Sequence, residues 1–206
     1  MSITQEYNLP AGPSVNAEDV RIISKLLRTD LELGDKGGTS SAERMMVFSL
    51  IRMLAPTSVL EVGVSGGFLT CWIAAALERG RKGKLTSVDN WSGVGGIAKT
   101  DAVAAARLEK HGLRHRVEFV TADSHKYLPN LPADSYDVVI IDGDHTADGA
   151  TADVREAMRI AANGVVLVHD TWLSPVVRKA CEDHGGFFAD GHCGYWLWNA
   201  RQKEKE

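Results

Sequence analysis

The 206-residue chain is long enough to bury one sizeable core, and its hydrophobic content of 44% is ordinary for a globular protein in water. Its 23 basic and 27 acidic residues are mixed along the chain, which argues against the basic stripe that binds a nucleic-acid backbone. No apolar run has the form of a signal peptide or approaches membrane-spanning length, and the three cysteines lack CxxC spacing. We therefore expect a cytoplasmic protein with reduced thiols and without nucleic-acid or membrane partners.

The N-terminal quarter of the sequence predicts two helices joined by a glycine-rich loop. The first helix is expected to begin near Asn16, and the stretch at 34–39, which contains Lys36, is a candidate lid. Ser40 and Glu43 have the spacing of a capping box that opens the second helix.

From residue 56 onward, strand-like and helix-like segments alternate, which is the pattern of parallel βαβ units. Strands rich in Val, Ile and Leu are predicted at 58–63, 84–89, 116–121, 136–142 and 164–170. Helices are predicted at about 66–79, 98–112, 148–162 and 174–184. An aromatic-rich hairpin around Asp190-Gly191 is expected to close one sheet edge. We therefore expect one domain over 1–206, with a helical arm and lid at 1–55 and a cofactor-binding core at 56–200.

A glycine-rich turn follows the first predicted strand, in the segment Glu61-Val62-Gly63-Val64-Ser65-Gly66-Gly67. Glycines let the backbone approach a ligand, and the start of the next helix offers free N–H groups to an anionic end. The ExGxxGG spacing departs from the GxGxxG of dinucleotide-binding proteins. Taken alone, the turn is also compatible with a tight βα connection that binds nothing.

Polar side chains also end the next two predicted strands. Asp89 ends the second strand, where a carboxylate accepts ribose hydroxyls in related folds. Asp123 and Ser124 follow the third strand and suit the edge of an adenine. The alternatives are a solvated loop acid or a helix cap for Asp89, and a helix cap for Asp123.

On these residues the chain resembles class I S-adenosylmethionine-dependent methyltransferases, and within them the methyltransferase domain 24 family of macrocin and cephalosporin-biosynthesis enzymes. The resemblance spans 59–170, and its most specific part is the DGDH segment followed one strand later by HD. It implies an α/β, doubly wound, Rossmann-like fold with helices on both faces of a mostly parallel sheet. The implied order of the seven strands is 3-2-1-4-5-7-6, with the last strand antiparallel.

The resemblance also implies which residues hold the cofactor, S-adenosylmethionine. The methionine part is expected at Glu61, Gly63, Ser65 and Gly67, the ribose at Asp89, and the adenine at Asp123 with Ser124. Asn90 and Asp142 complete the expected cofactor-binding set.

Asp142 and Asp170 end the fourth and fifth predicted strands, which are neighbours in this sheet order. Two converging carboxylates favour a cation between them, so Mg²⁺ is a candidate occupant with these two ligands. His169 stands where some relatives have an acidic residue, and Thr171 follows where catechol-type enzymes have Asn. The sequence therefore leaves open both a metal site and a metal-free site.

His145 is the candidate general base, together with Asp142 as a second catalytic residue, because an imidazole accepts a proton near neutrality. The alternative is a loop histidine bound to a nearby carbonyl. His169 is expected to point away from the crevice, because adjacent strand residues face opposite sides. Aromatic residues that either line an acceptor pocket or belong to the core are Trp91, Trp172, Tyr195, Trp196 and Trp198.

The pattern predicts O-methylation of a hydroxyl on a small molecule, a sugar or an aromatic natural product, assisted by Mg²⁺ or by histidine. A nicotinamide-dependent oxidoreductase and a cofactor-binding protein without catalysis are the alternatives. The expected partner is the small-molecule acceptor, whose identity the sequence does not give, and a homo-oligomer is left open.

Overall fold

The computed structural model describes residues 16–32, 38–92, 101–189 and 193–200. In chain order the helices and strands are α1 (Ala17–Glu32), α2 (Ser41–Leu54), β1 (Ser58–Val62), α3 (Phe68–Gly80), β2 (Lys84–Asp89), α4 (Asp101–Lys110), β3 (Val117–Thr121), α5 (Ser124–Tyr127), β4 (Val138–Ile141), α6 (Ala147–Ile160), β5 (Val165–His169), α7 (Pro175–Glu182), β6 (Phe187–Ala189) and β7 (Tyr195–Asn199).

The seven strands form one sheet in the order β3-β2-β1-β4-β5-β7-β6. The first five strands pair in parallel, and β7 is antiparallel to both β5 and β6. The predicted α/β fold, its strand order and its antiparallel last strand are therefore confirmed. This order brings the carboxyl ends of β2, β1, β4 and β5 side by side along one edge of the sheet.

Helices cover both faces of the sheet because its central strands are apolar on both sides. Val59 of β1 belongs to a core cluster with α1, α2 and α3, whereas Leu60 belongs to a second cluster with α6 and α7. In β4 and β5 every residue is buried. The sheet is therefore a rigid platform for the side chains that follow its strand ends.

The local signals in the N-terminal quarter are confirmed. The Asn16 side chain accepts hydrogen bonds from the N–H groups of Glu18 and Asp19, and Ser40 and Glu43 form both bonds of a capping box. The predicted terminal hairpin is present as β6 and β7. The lid residues 34–37, including Lys36, and the Asp190-Gly191 turn lie outside the described residues.

The three cysteines are free thiols, as predicted, and the structure also shows that all three are buried. Among the described helices, none combines the length and the apolar character needed to cross a membrane.

Candidate functional site

The glycine turn after β1 is held in a left-handed backbone conformation. The φ angles are 87° at Gly63, 53° at Ser65 and 73° at Gly67. A Cβ atom on Gly63 would overlap the carbonyl oxygen of Asp142, and one on Gly67 would lie 2.8 Å from the Cβ of Ala104. Glycine is therefore required at both positions by the close approach of β4 and α4.

The turn leads into an uncapped helix end that faces the same edge. Gly67 is the N-cap residue of α3, and because it has no side chain it supplies no capping hydrogen bond to the first turn of that helix. Arg107 on α4 supports the turn, since its Nε donates to the Gly66 carbonyl at 2.8 Å and its guanidinium lies 3.5 Å from the centre of the Phe68 ring. The free N–H groups and the helix dipole favour an anionic group here. Sequence reasoning missed Arg107 because nothing local links it to the turn.

Asp89 at the end of β2 braces the turn directly. Its Oδ2 accepts the N–H groups of Val64 at 2.7 Å and Ser65 at 2.9 Å, and its Oδ1 accepts that of Trp91 at 2.7 Å. An ionised carboxylate has about four acceptor sites, so these bonds leave capacity for a ligand hydroxyl. The neighbouring Asn90 accepts the N–H of Ser92. Their expected contact with a ribose stays a prediction.

The polar pair after β3 is arranged as a helix start. Asp123 is the N-cap of α5 and accepts the N–H of His125 at 3.0 Å, and Ser124 is the first residue of that helix. The helix-cap interpretation of Asp123 is therefore confirmed. Both residues lie at the same sheet edge as Asp89, so their expected contact with an adenine stays a prediction as well.

Glu61 lies deeper than the sequence suggests. Its side chain is fully buried in β1, where Oε2 accepts hydrogen bonds from Thr70 at 2.9 Å and from Ser87 at 2.7 Å. Its side chain therefore links β1 to β2 and α3, and its expected contact with the methionine part of the cofactor stays a prediction.

On the other side of the crevice, the structure brings together three residues that the sequence had singled out. Asp142 follows β4, Asp170 follows β5 and His145 lies in the loop after β4; each offers a ligand atom within 4.8 Å of the other two. The Nε2 atom of His145 is 3.2 Å from Oδ2 of Asp170. The His145 side chain is 45% exposed, whereas that of Asp170 is 12% exposed. A half-exposed imidazole is thus oriented by a largely buried carboxylate.

The expectation that His169 points away from this cluster is wrong. Its Nδ1 atom lies 3.2 Å from Oδ1 of Asp142 and 3.1 Å from Oδ1 of Asp170. Strand alternation fails here because Asp170 has a φ of 61°, which turns its side chain back toward the face that His169 occupies. Both adjacent residues therefore reach the crevice.

Glu43 approaches the opposite side of the His169 ring. Its Oε2 is 3.8 Å from Nε2 of His169, while its Oε1 accepts the N–H groups of Cys193 at 2.8 Å and Gly194 at 3.1 Å. The sequence identified Glu43 only as a capping residue. Its second role depends on a loop about 150 residues away, which no local pattern reveals.

These contacts set the charges of the cluster. Burial alone would lower the pKa of His169, but the neighbouring carboxylates of Asp142, Asp170 and Glu43 raise it to about 12. Burial tends to raise the pKa of Asp170 and of Glu43, yet the bonds to His169 hold both below their ordinary values. These carboxylates therefore favour the protonated form of the buried His169 ring.

Asp142 and Asp170 are the residues that would hold the expected Mg²⁺, which is usually bound by one or two carboxylates and several waters, and this site stays a prediction. The third donor of the group is an imidazole nitrogen, whereas Mg²⁺ takes oxygen ligands in octahedral geometry. Oδ1 of Asp142 lies within hydrogen-bond distance of Nδ1 of His169, whereas the buried Oδ1 of Asp170 has no hydrogen-bond partner among the described residues.

The aromatic residues separate into two groups. Tyr195, Trp196 and Trp198 on β7 are at most 5% exposed, which confirms their interpretation as core. Trp172 is 59% exposed and follows Asp170 by two residues. Trp91 packs edge-on against Phe119 at 5.9 Å between ring centres.

A sheet of this order, with a glycine turn after β1 and polar side chains at the ends of β2, β4 and β5, is a Rossmann-like fold, in which ligands bind at the carboxyl edge of the sheet. The family model described as "Methyltransferase domain" matches residues 60–171, just over half of the chain. The chain therefore belongs to this family of S-adenosylmethionine-dependent methyltransferases, and the predicted resemblance is confirmed.

The chain is also similar to individual proteins that are named as O-methyltransferases. The chain is 28% identical over 169 residues to a catechol O-methyltransferase of Mycobacterium tuberculosis, covering 78% of this chain and 72% of the relative. It is 29% identical over 114 residues to a caffeoyl-CoA O-methyltransferase of Stellaria longipes, covering 53% of this chain and 44% of the relative.

Solved structures share the fold. Cofactor-bound Rv0187 from MTB superposes with a TM-score of 0.69 at 22% identity, covering 90% of this chain and 98% of the other. The O-methyltransferase TomG of Streptomyces achromogenes, in complex with SAM, superposes with a TM-score of 0.64 at 22% identity, covering 85% and 87%.

Proposed function

We propose that the protein transfers a methyl group from S-adenosylmethionine to a hydroxyl of a small aromatic molecule, with His145 as the general base. The observation that carries the proposal is the 3.2 Å contact between Nε2 of His145 and Oδ2 of Asp170 at the sheet edge where the glycine turn also opens. Relatives named for catechol and caffeoyl-CoA O-methylation support a phenolic acceptor.

The donor side of the site fits the cofactor on its own chemistry. The uncapped N-terminus of α3 suits the carboxylate of the methionine part, and the remaining acceptor capacity of Asp89 suits ribose hydroxyls. Gly63 and Gly67 add no side chain at the two points of the turn where Asp142 and Ala104 come closest. S-adenosylmethionine, when bound, supplies the methyl group.

On the acceptor side, His145 removes one proton. The acceptor oxygen forms a bond to the methyl carbon as the carbon–sulfur bond breaks, and the hydroxyl proton passes to His145. A phenol has a pKa of about 10, like tyrosine, so its proton leaves as the oxygen–carbon bond forms. Asp170 orients the imidazole and stabilises its positive charge. The exposed ring of Trp172 offers an apolar contact to an aromatic acceptor.

The test is transfer of a labelled methyl group to a panel of phenols by the wild type and by His145→Gln. We expect His145→Gln to lower kcat roughly 100-fold or more while the affinity for S-adenosylhomocysteine stays unchanged, because only proton removal is lost. His184→Gln is the matched control, since His184 is an exposed histidine after α7. Equal kcat values for wild type and His145→Gln on an accepted phenol would exclude His145 as the base.

A further inference from the structure

Helix α2 is uncharged on the side that faces solvent. Its three charged residues turn elsewhere, since Glu43 and Arg44 are buried and the side chain of Arg52 is only 16% exposed. A surface helix normally carries charged or polar residues on the side away from the core, and a helix that is apolar all round is normally buried. The outward positions of α2 instead hold uncharged residues, which are Ala42, Met45, Met46, Ser49 and Met53.

Helix α1 lies beside α2 and runs in the opposite direction. Asp19 near the start of α1 pairs with Arg52 near the end of α2 at 3.5 Å. Asp30 near the end of α1 pairs with Arg44 near the start of α2 at 3.0 Å. The two ion pairs thus join opposite ends of the helices, which are therefore antiparallel.

Each member of these two ion pairs is followed by an exposed apolar residue. After the first pair these are Val20 and Met53, exposed by 54% and 62%, and after the second pair Leu31 and Met45, exposed by 76% and 40%. One step along an α-helix turns the side chain by about 100° around the axis. Because the helices are antiparallel, this turn carries the residues of both helices to the same side of the pair, and their exposure shows that it is the outer side. We call these four residues, together with Met46, the α1–α2 patch.

The patch is continuous rather than a set of scattered residues. Six of the eleven large apolar residues that are exposed in the described part of the chain lie on α1 and α2. The helical rise from Val20 to Leu31 is about 17 Å, and two helices packed about 9 Å apart present an outer face roughly 20 Å wide. The patch therefore extends over roughly 300 Å², and apolar patches of this size on soluble proteins commonly mark an interaction site.

We propose that two copies of this chain form a dimer through the α1–α2 patch, with α1 and α2 of each copy packed on those of the other around a two-fold axis. The four helices then form a bundle with the patches of both copies at its centre. A standard interface covers about 800 Å² per partner and has an apolar centre with a polar rim. The patch supplies this centre, and the exposed residues Arg21, Lys25 and Arg28 of α1 supply part of the rim.

The chemistry of the patch favours a second copy as the partner. The patch contains no charge, so two copies meet there without like-charge repulsion, although each chain carries a net charge of −4. A nucleic acid or a strongly charged peptide would lose hydration at this surface without gaining an ion pair. The three methionines of the patch have flexible side chains that adapt to another apolar surface, and methionine is enriched at interfaces. A two-fold dimer needs only one self-complementary surface and is the commonest assembly of soluble chains.

Sedimentation equilibrium of the full chain, without cofactor, measures the mass in solution. We expect the mass of two chains at a protein concentration of about 100 µM, because specific interfaces of standard size commonly have dissociation constants below this value. The mass of one chain at that concentration would overturn the inference, whatever other group covers the patch.

A charged side chain in the patch tests where the interface lies. Met53→Glu introduces a charge that the dimer would have to desolvate, so we expect it to raise the dissociation constant roughly 100-fold. Val103→Glu makes the same kind of change at a 49% exposed apolar residue of α4 and should leave the constant unchanged. Equal dissociation constants for wild type and Met53→Glu, both with the native circular dichroism spectrum, would exclude the patch as the interface.

Oxidative footprinting locates the interface in the wild type and decides the question if Met53→Glu does not fold. A short pulse of hydroxyl radicals oxidises exposed methionine to the sulfoxide, which mass spectrometry detects. We expect oxidation of Met45 and Met53 to fall as the dimer forms at rising protein concentration, whereas Trp172, which is 59% exposed outside the patch, stays equally oxidised. Unchanged oxidation of Met53 on dimer formation would contradict the inference. These measurements do not use methyl transfer, so their outcome is independent of the proposed function.

Discussion

Glu61 is a carboxyl group that the fold keeps out of water. It is fully buried, and its Oε1 has no hydrogen-bond partner among the described residues, although Oε2 accepts bonds from Thr70 and Ser87. Burial raises its pKa to about 8, against the effect of these two bonds. The side chain is therefore largely neutral near pH 7, and ionising it weakens the folded state.

The first prediction concerns the pH dependence of stability. The pKa of Glu61 is about 4.5 in the unfolded chain and about 8 in the folded one. The folded state holds an extra proton between these values, so the stability present below pH 4.5 is lost as the pH rises through 8. Glu61→Gln does not titrate, and we expect it to gain on the order of 3 kcal/mol in unfolding free energy relative to wild type between pH 5 and pH 8.

Denaturant unfolding at the two pH values, without cofactor, measures this difference. Glu118→Gln is the matched control, because Glu118 is an exposed glutamate on β3, and it should leave the pH dependence of the wild type unchanged. If the unfolding free energies of wild type and Glu61→Gln change equally between pH 5 and pH 8, Glu61 is ionised in the folded protein.

For individual residues, the sequence predicted the position in the fold better than it predicted the contacts of the side chain. Gly63 and Asp142 were identified from strand ends, because parallel strands place such residues at one edge of the sheet. His169 was not, since its position depends on the left-handed φ of the following residue, Asp170. Glycine is the residue that most often signals such a φ in a sequence, and Asp gave no such signal.

Among the elements, α1 and α2 are joined to α3 through a buried ion pair. Arg44 of α2 is fully buried and lies 3.0 Å from Oδ2 of Asp30 of α1, which also accepts the indole N–H of Trp72 of α3 at 3.0 Å. Because one carboxylate contacts two helices, this cluster sets how the N-terminal helices lie on the core. The same α2 carries Glu43 toward His169, so the cluster also supports the site.

The second prediction follows from the burial of this pair. Asp30→Ala leaves the Arg44 charge buried without its carboxylate, and we expect it to lower the unfolding free energy by about 3–5 kcal/mol. Arg44→Met combined with Asp30→Ala should cost less than Asp30→Ala alone, because no buried charge is then left uncompensated. Guanidinium unfolding of both variants measures the difference.

Glu32→Ala is the control for this pair. Glu32 makes an ion pair of 3.2 Å with Lys110 in which both side chains are at least half exposed. Such surface pairs contribute at most about 1 kcal/mol. If Asp30→Ala and Glu32→Ala destabilise the protein equally, the pair with Arg44 does not hold the helices on the core.

The elements themselves were largely predictable. The parallel strands were found from their unbroken apolar runs, and the second helix from its capping box at Ser40 and Glu43. Helix α5, only four residues long, was not predicted, because so short a helix has no periodicity to detect. The sequence also did not indicate that Arg44 is buried, since a basic residue in an amphipathic helix usually faces water.

At the scale of the whole molecule, the strand order decides which side chains can cooperate. β1 pairs with β2 on one side and with β4 on the other, and β4 pairs with β5. The glycine turn and Asp89 therefore open beside Asp142 and His145, although the chain separates them by many residues. This proximity was predictable only through the family resemblance, because strand order does not follow from the sequence of elements alone.

The third prediction is that the folded molecule distinguishes an adenosine-containing sulfur compound from a dinucleotide. S-adenosylhomocysteine at about 100 times its Kd should stabilise the protein by about 2.7 kcal/mol, which for a chain of this size raises Tm by roughly 5–10 °C. NAD at the same concentration should leave Tm unchanged, because the ExGxxGG turn lacks the glycine spacing that accommodates a pyrophosphate. Differential scanning calorimetry measures both shifts. A shift with NAD equal to that with S-adenosylhomocysteine would mean that the turn recognises adenosine alone, and the glycine spacing would then carry no specificity for the methyl donor.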